Sequence, residues 1–235
     1  MSTGGDGMTR SRISPAAALV ALAIGVAVAA AVTAAQAPPP AAAPARVTDG
    51  ASFTSSGAVV RPPDYREWVY VTSGLGMSYA PEAQAVTAPP PGSTVRPPVF
   101  DNVFVNRQSY RAFLGSGRWP EGTMFILELR RGERHVSIDT GGQTQGGVLG
   151  IEAAVKDSAR YAATGGWAYF GFGGANGLAE SAMPNPPTAS CYACHGEHTA
   201  VENTFVQFYP TLFDVARRFG TVKPTYDPAR RVESR

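Results

Sequence analysis

The stretch Cys191–His198, CYACHGEH, holds the chain's only two cysteines and two of its three histidines. Two thiols three positions apart, with an imidazole directly after the second, admit three chemistries. A Cys191–Cys194 disulfide would close a very short loop and restrain the unfolded chain little. A redox CxxC also normally opens a helix inside a βαβ unit, and the surrounding pattern shows none. Zinc held by Cys191, Cys194, His195 and His198 would force adjacent residues 194 and 195 onto one tetrahedral ion, a poor cage. A haem fits the spacing best. The two thiols can add to its vinyl groups, and the following histidine can swing under the iron as axial ligand. The motif therefore predicts one covalently attached haem c, with Cys191 and Cys194 as attachment residues and His195 on the iron. His198 and His135 are expected to be solvated loop residues.

A second protein ligand to the iron is harder to find. No methionine follows His195, and Met77, Met124 and Met183 all lie upstream. Met124 falls in a strand pattern and Met183 in a proline-rich stretch, where packing is the ordinary use of a thioether. A five-coordinate iron with one open face is the sharper expectation, and such faces bind small diatomic or nitrogenous ligands. The other possibility is a plain electron-transfer centre completed by a sixth ligand such as Met77 or Met183.

The remaining chain must position these groups. Its 235 residues carry a formal charge of +2, with lysines, arginines and acids interspersed and no basic stripe. That distribution argues against nucleic acid as a partner. Arg10 and Arg12 precede ISPAAALVALAIGVAVAAAVTAAQA, an uncharged apolar run. Residues 1–37 therefore read as a signal peptide or an uncleaved N-terminal membrane anchor, which places the rest in the periplasm or otherwise outside the cytoplasm. That compartment suits haem attachment. A Pro/Ala/Ser-rich linker is expected over 38–61, the haem domain over 62–225 and a tail over 226–235. The second proline cluster, at 79–98, reads as a long surface loop.

Short strand signals separated by turns fall at Trp68–Thr72, Val99–Val105, Thr123–Arg130, His135–Ile138, Val148–Lys156 and Trp167–Phe172. They predict a mainly β domain with an antiparallel sheet of five to six strands and a few short helices. One helix is expected over Arg107–Leu114. Another should start at Asn203 or Thr204, carry Pro210 in its first turn and Leu212, Val215 and Phe219 on its apolar stripe, and stop at Gly220. Glycine pairs at 141, 146, 165 and 173 lack the strand-to-helix context of a nucleotide-binding loop.

The segments YREWVYV, VFVNRQSYRAFLGSGRWPEGTMFILELR, GIEAAVKDSARYAATGGWAYFGF and PTASCYACHGEHTAVENTFVQFYPTL, in that order, resemble the cytochrome P-460 family, whose fold is shared by cytochrome c′-beta. The resemblance covers residues 63 to 215. It implies a mainly antiparallel β domain, usually a homodimer, with one c-type haem held by the CxxCH histidine. Members that oxidise hydroxylamine carry a lysine cross-linked to the haem, in a stretch that typically runs VKE. Here that stretch is Ile126, Leu127, Glu128, so Leu127 stands in the lysine's place. The chain has only two lysines, Lys156 and Lys223, and the VKD motif around Lys156 is expected to be surface or structural.

Strand alternation puts Phe125, Leu127 and Leu129 on one face and Ile126 and Glu128 on the other. The distal wall is then apolar, like that of cytochrome c′-beta, whose phenylalanines sift gaseous ligands. Phe100 and Phe104 are further candidates for that wall, or for plain core. Glu152 matches a distal carboxylate of the hydroxylamine-oxidising relatives and is the candidate proton acceptor, the other possibility being an arginine-paired strand-end acid. Asp101 stands roughly where those relatives carry a distal arginine. The expected function is binding of nitric oxide or a similar small nitrogenous ligand, with electron exchange with a partner cytochrome. The alternative is oxidation of hydroxylamine or nitric oxide through Glu152.

Overall fold

A computed structural model describes residues 45–77, 98–174 and 176–227. The apolar N-terminal run, the loop expected at 79–98 except for its last residue, and the tail after residue 227 lie outside the described residues. Among the described residues no helix is long and apolar enough to cross a membrane.

The elements run β1 (Val59–Val60), β2 (Val69–Leu75), β3 (Val99–Val105), α1 (Arg107–Ser116), β4 (Met124–Glu133), β5 (Thr144–Lys156), β6 (Trp167–Gly174), β7 (Gly177–Leu178), β8 (Ser181–Ala182), α2 (Ser190–Glu197) and α3 (Pro210–Phe219). Strands β2 to β7 form one sheet in chain order, every pair antiparallel. β1 and β8 make a separate two-stranded ribbon. The mainly β expectation, with a sheet of about six strands, holds.

Alternation along each strand gives the sheet two apolar faces. Val105, Phe125, Trp167 and Tyr169 pack under Phe113 of α1 and Leu212, Val215 and Ala216 of α3. Phe104, Met124, Ile126, Ile151, Ala168 and Phe170 face the other way, toward Val59, Tyr65 and Trp68. The only charged residue of β4 buried on that second face is Glu128, 2 % exposed. It is ion-paired with Arg66 and Arg130 and accepts the Tyr65 hydroxyl. Burial alone would raise its carboxyl, but the bonds from Arg130, Tyr65 and Arg66 outweigh that and hold it below the usual carboxylate range.

Three expectations are corrected. His135–Ile138 is not a strand: β4 runs on to Glu133, and residues 134–143 connect it to β5. His135 and Ser137 take φ of 58° and 57°, and Ile138 is 95 % exposed. Asp139 accepts the Gly141 and Gly142 N–H groups at 3.1 and 2.7 Å, which closes a turn. The last helix begins at Pro210, not at Asn203 or Thr204. The Thr204 hydroxyl is already engaged, donating to the Val201 carbonyl at 2.7 Å and accepting the Trp119 indole N–H at 2.9 Å. Packing also extends upstream of Pro62 into the stretch expected as a linker. Val59 is fully buried, Arg46 pairs with Asp157 at 3.0 Å, and the Asp49 carboxylate accepts the Gln108 N–H at 2.9 Å, capping the start of α1.

Candidate functional site

The helix that carries the cysteines is short, and the Pro186–Pro187 pair lies just before it. Cys191, Cys194 and His195 stand at i, i+3 and i+4, so a single turn brings both thiols and the imidazole to one face. That face borders a cavity of about 620 Å³. The same cavity is walled on the sheet side by Phe125, Leu127 and Glu152. All six residues singled out in the sequence therefore meet at one site. Both cysteines are free thiols. Burial pushes the Cys194 thiol up, with smaller contributions from Cys191 and Glu197. Among the described residues no group of three or more histidine, cysteine and acidic side chains gathers as metal ligands, which disfavours a zinc cage.

His195 is held on three sides. Its Nδ1 lies 2.9 Å from the Asn203 carbonyl oxygen, which can only accept, so the proton sits on Nδ1 and the Nε2 lone pair is free. Tyr169 and Phe205 flank the ring, with centroids 4.2 and 4.6 Å away. Burial pushes its pKa down to about 4, the Asn203 bond opposing and Lys223 adding to the shift, so the imidazole is neutral at neutral pH. The Asn203 carbonyl is in turn placed by a tight turn in which Glu202 takes φ 49°. Lys156 donates to the Glu202 carboxylate at 2.8 Å, Trp167 Nε1 at 3.3 Å and the Trp119 N–H at 3.2 Å. Thr199 Oγ1 closes the turn, bonding to the His195 and Glu202 carbonyls at 2.6 and 2.9 Å.

On the sheet side, register decides which side chains meet. Val103, Leu127, Glu152 and Gly171 are consecutive cross-strand partners on β3, β4, β5 and β6. Leu127 and Glu152 are thus direct neighbours on the cavity face, and Gly171 places no side chain beside them. The adjacent rung is Val105, Phe125, Ala154 and Tyr169. Asp101 lies one rung the other way, opposite Leu129, and also lines the cavity. Glu152 is reached by solvent through the cavity, yet the surrounding atoms desolvate its carboxyl and push it above the usual range. Asp101 is pushed up to about 6, by burial first and then by the Glu152 charge.

The other sequence candidates fall elsewhere. Phe100 and Phe104 do not border the cavity. Phe104 packs on the far face against Tyr65 and Tyr70, because its parity on β3 is opposite to that of Asp101 and Val103. Lys156 is structural, bonded to Glu202 and to the Trp119 carbonyl. Lys223 donates to the Gly196 carbonyl and to Thr199 at 2.9 and 2.7 Å. Neither lysine borders the cavity, nor do His135 and His198. Met77 borders it, whereas Met183 does not and is 60 % exposed. Tyr169, Phe205 and the Asn203 carbonyl were not foreseen. The parity of Trp167, Tyr169 and Gly171 on one strand carries a signal for the first, but a backbone carbonyl leaves none in the sequence.

A cavity of this volume lies within the range of cofactor pockets, about 300–1,000 Å³. It offers a neutral imidazole with a free Nε2, two free thiols and an apolar wall, and these residues fit a haem. Fold and site together define a mainly β haem-binding protein. The family model Cytochrome P460 matches residues 62–206, and the chain belongs to that family of haem-binding cytochromes. Comparison with curated proteins finds no match.

Proposed function

We propose that this cytochrome holds one haem c through Cys191 and Cys194, with His195 Nε2 as the axial ligand, and binds nitric oxide or a similar small nitrogenous ligand on the opposite, open face. The observation that carries this reading is the shared cavity: thiols and imidazole on the helix side, Phe125, Leu127 and Glu152 on the sheet side. The haem, when bound, supplies the iron at which the ligand is held and the electron is exchanged. The chain's own residues set the conditions. Asn203 fixes the histidine tautomer, Tyr169 and Phe205 fix its plane, and Phe125 and Leu127 keep the ligand's surroundings apolar. Leu127 has no amine to offer, so a haem–lysine bond at that position is ruled out by its chemistry. Export to the periplasm, homodimer formation and electron exchange with a partner cytochrome belong to the same proposal. They are supported by the N-terminal apolar run and the family resemblance.

A second reading, oxidation of hydroxylamine or nitric oxide, is favoured by one specific observation. Glu152 is a carboxyl of raised proton affinity in the cavity wall, where it could take a proton from a bound hydroxylamine. Purified protein discriminates among these readings. Pigment that remains on the chain in denaturant, and is lost in Cys191→Ala with Cys194→Ala, is the expected result; pigment released from wild type by denaturant overturns the covalent assignment. A five-coordinate ferrous spectrum is expected. A six-coordinate low-spin ferrous spectrum, lost on Met77→Leu, would instead make it an electron carrier. Steady hydroxylamine turnover abolished by Glu152→Gln would establish the enzyme reading.

A further inference from the structure

We propose that Asp101 and Glu152 together make the distal side of the cavity selective by charge, admitting neutral ligands and repelling anions. This deepens the haem reading and rests on it. Its basis is a contrast within the fold. The two acids buried most deeply in the fold are each accompanied by cations, Glu128 by Arg66 and Arg130 and Asp157 by Arg46 and Arg160, and the partly buried Glu202 has Lys156. Asp101 and Glu152 have no ion-pair partner among the described residues, although both line the cavity.

They belong to strands on either side of β4, Asp101 opposite Leu129 and Glu152 opposite Leu127. Both therefore project from the same face, two strand spacings and two residues apart, about 12 Å of backbone separation. The groups packed around them bring no compensating charge. β2 contributes Thr72 and Ser73, the residues after it Met77, β4 contributes Phe125 and Leu127, and β6 contributes the Tyr169 phenol. The remaining titratable groups at the cavity are Tyr209, the two thiols and the neutral imidazole of His195. No lysine or arginine lines it among the described residues. An anion approaching His195's free Nε2 side, where the iron would lie, meets one or two like charges in a site of reduced dielectric, whereas a neutral ligand meets none. Burial first, and then the Glu152 charge, raise Asp101 to about 6, so Asp101 is ionised at pH 7.5.

The test uses the ferric holoprotein at pH 7.5, titrated with azide as the anionic probe and imidazole as the mainly neutral one, each followed by the haem Soret shift. Asp101→Asn and Glu152→Gln should each raise azide affinity about tenfold and change imidazole affinity less than about threefold. Raising ionic strength from about 0.02 M to 0.5 M should strengthen azide binding in wild type more than in the double variant, since the Debye length shrinks across that range. This salt comparison in wild type stands even where a variant folds poorly. Azide affinity unchanged in both variants and insensitive to salt, or azide and imidazole affinities rising together, overturns charge selectivity while leaving the haem reading intact. Absence of any Soret band overturns the haem reading, and this inference with it.

Discussion

Among the described residues, the most deeply buried acids and those along the cavity differ in their surroundings. Glu128 is fully enclosed, and its ionised form is fixed by Arg66, Arg130 and Tyr65. Glu128→Ala should lower the unfolding free energy by about 1–3 kcal/mol, because it leaves the buried Tyr65 hydroxyl and the largely enclosed Arg130 guanidinium without their carboxylate, whereas half-exposed Arg66 can turn to water. Urea unfolding of the holoprotein reads this directly. Asp101 is the opposite case. Its pKa of about 6 in the folded chain lies above the ordinary 3.8, so the folded state binds its proton more tightly than the unfolded state does. Stability therefore falls as pH rises through the window from 3.8 to about 6, and the full penalty persists above it. Asp101→Asn should remove that penalty. Its thermal midpoint should exceed that of wild type at pH 7.5 by a few degrees, about 2–4 °C per kcal/mol for a chain of this size, and the difference should vanish near pH 4.

At the scale of elements, the axial histidine depends on a turn more than on its own helix. α2 supplies the spacing, but the ring's orientation comes from Asn203, and Asn203 is placed by Glu202 in a left-handed conformation. Glu202 is held there by Lys156, Trp119 and Trp167, from three separate parts of the sheet-and-helix layer. Glu202→Ala should release the turn and loosen the His195 tautomer, weakening the His195–iron bond on the scale of 10- to 100-fold that loss of an outer-shell partner costs, while the pigment stays attached through the cysteines. Glu202→Gln, which keeps one of the two accepting oxygens, should recover part of it. The iron–histidine stretching band in resonance Raman spectra separates this positioning role from plain destabilisation. The same elements show what was legible in the sequence. CxxCH spells its own geometry through i, i+3, i+4 spacing, and period-two alternation sorted Phe125 and Leu127 from Ile126 and Glu128 without any partner strand. What could not be read were cross-strand facts: that Leu127 sits beside Glu152, and that Asp101 reaches the same cavity from the next strand. Register is set by the whole hydrophobic face and by bulges such as the shifts at Leu129–Arg130 and Arg130–Gly132. His135–Ile138 misled for a related reason, since its apolar residues are spent on a turn whose positive φ values no composition signals.

For the whole molecule, the question is where the folded body begins. The stretch before Pro62 has the composition of a linker, yet it touches both faces of the fold. Arg46 pairs with the buried Asp157 at the end of β5, and Val47 donates its N–H to the Glu121 carbonyl at 2.9 Å. Asp49 caps α1. Gly50 passes so close to the Gly122 carbonyl that a Cβ there would lie 1.8 Å from its oxygen. Val59 then completes the core on the far face and pairs with Ala182 in the β1–β8 ribbon. A chain starting at residue 45 should unfold as wild type does. One starting at Pro62 loses the cap, about 1 kcal/mol, the Val59 burial, about 1.5–3 kcal/mol, and Arg46, one of the two partners of Asp157. Together these are a large part of the 5–15 kcal/mol that holds a domain folded. The shorter chain should melt about 5–15 °C lower, and its amides in β5 and α1 should exchange faster in hydrogen-exchange measurements. Equal melting points for the two chains would show that the segment is an appendage, and that the sheet and its helices are stable without it.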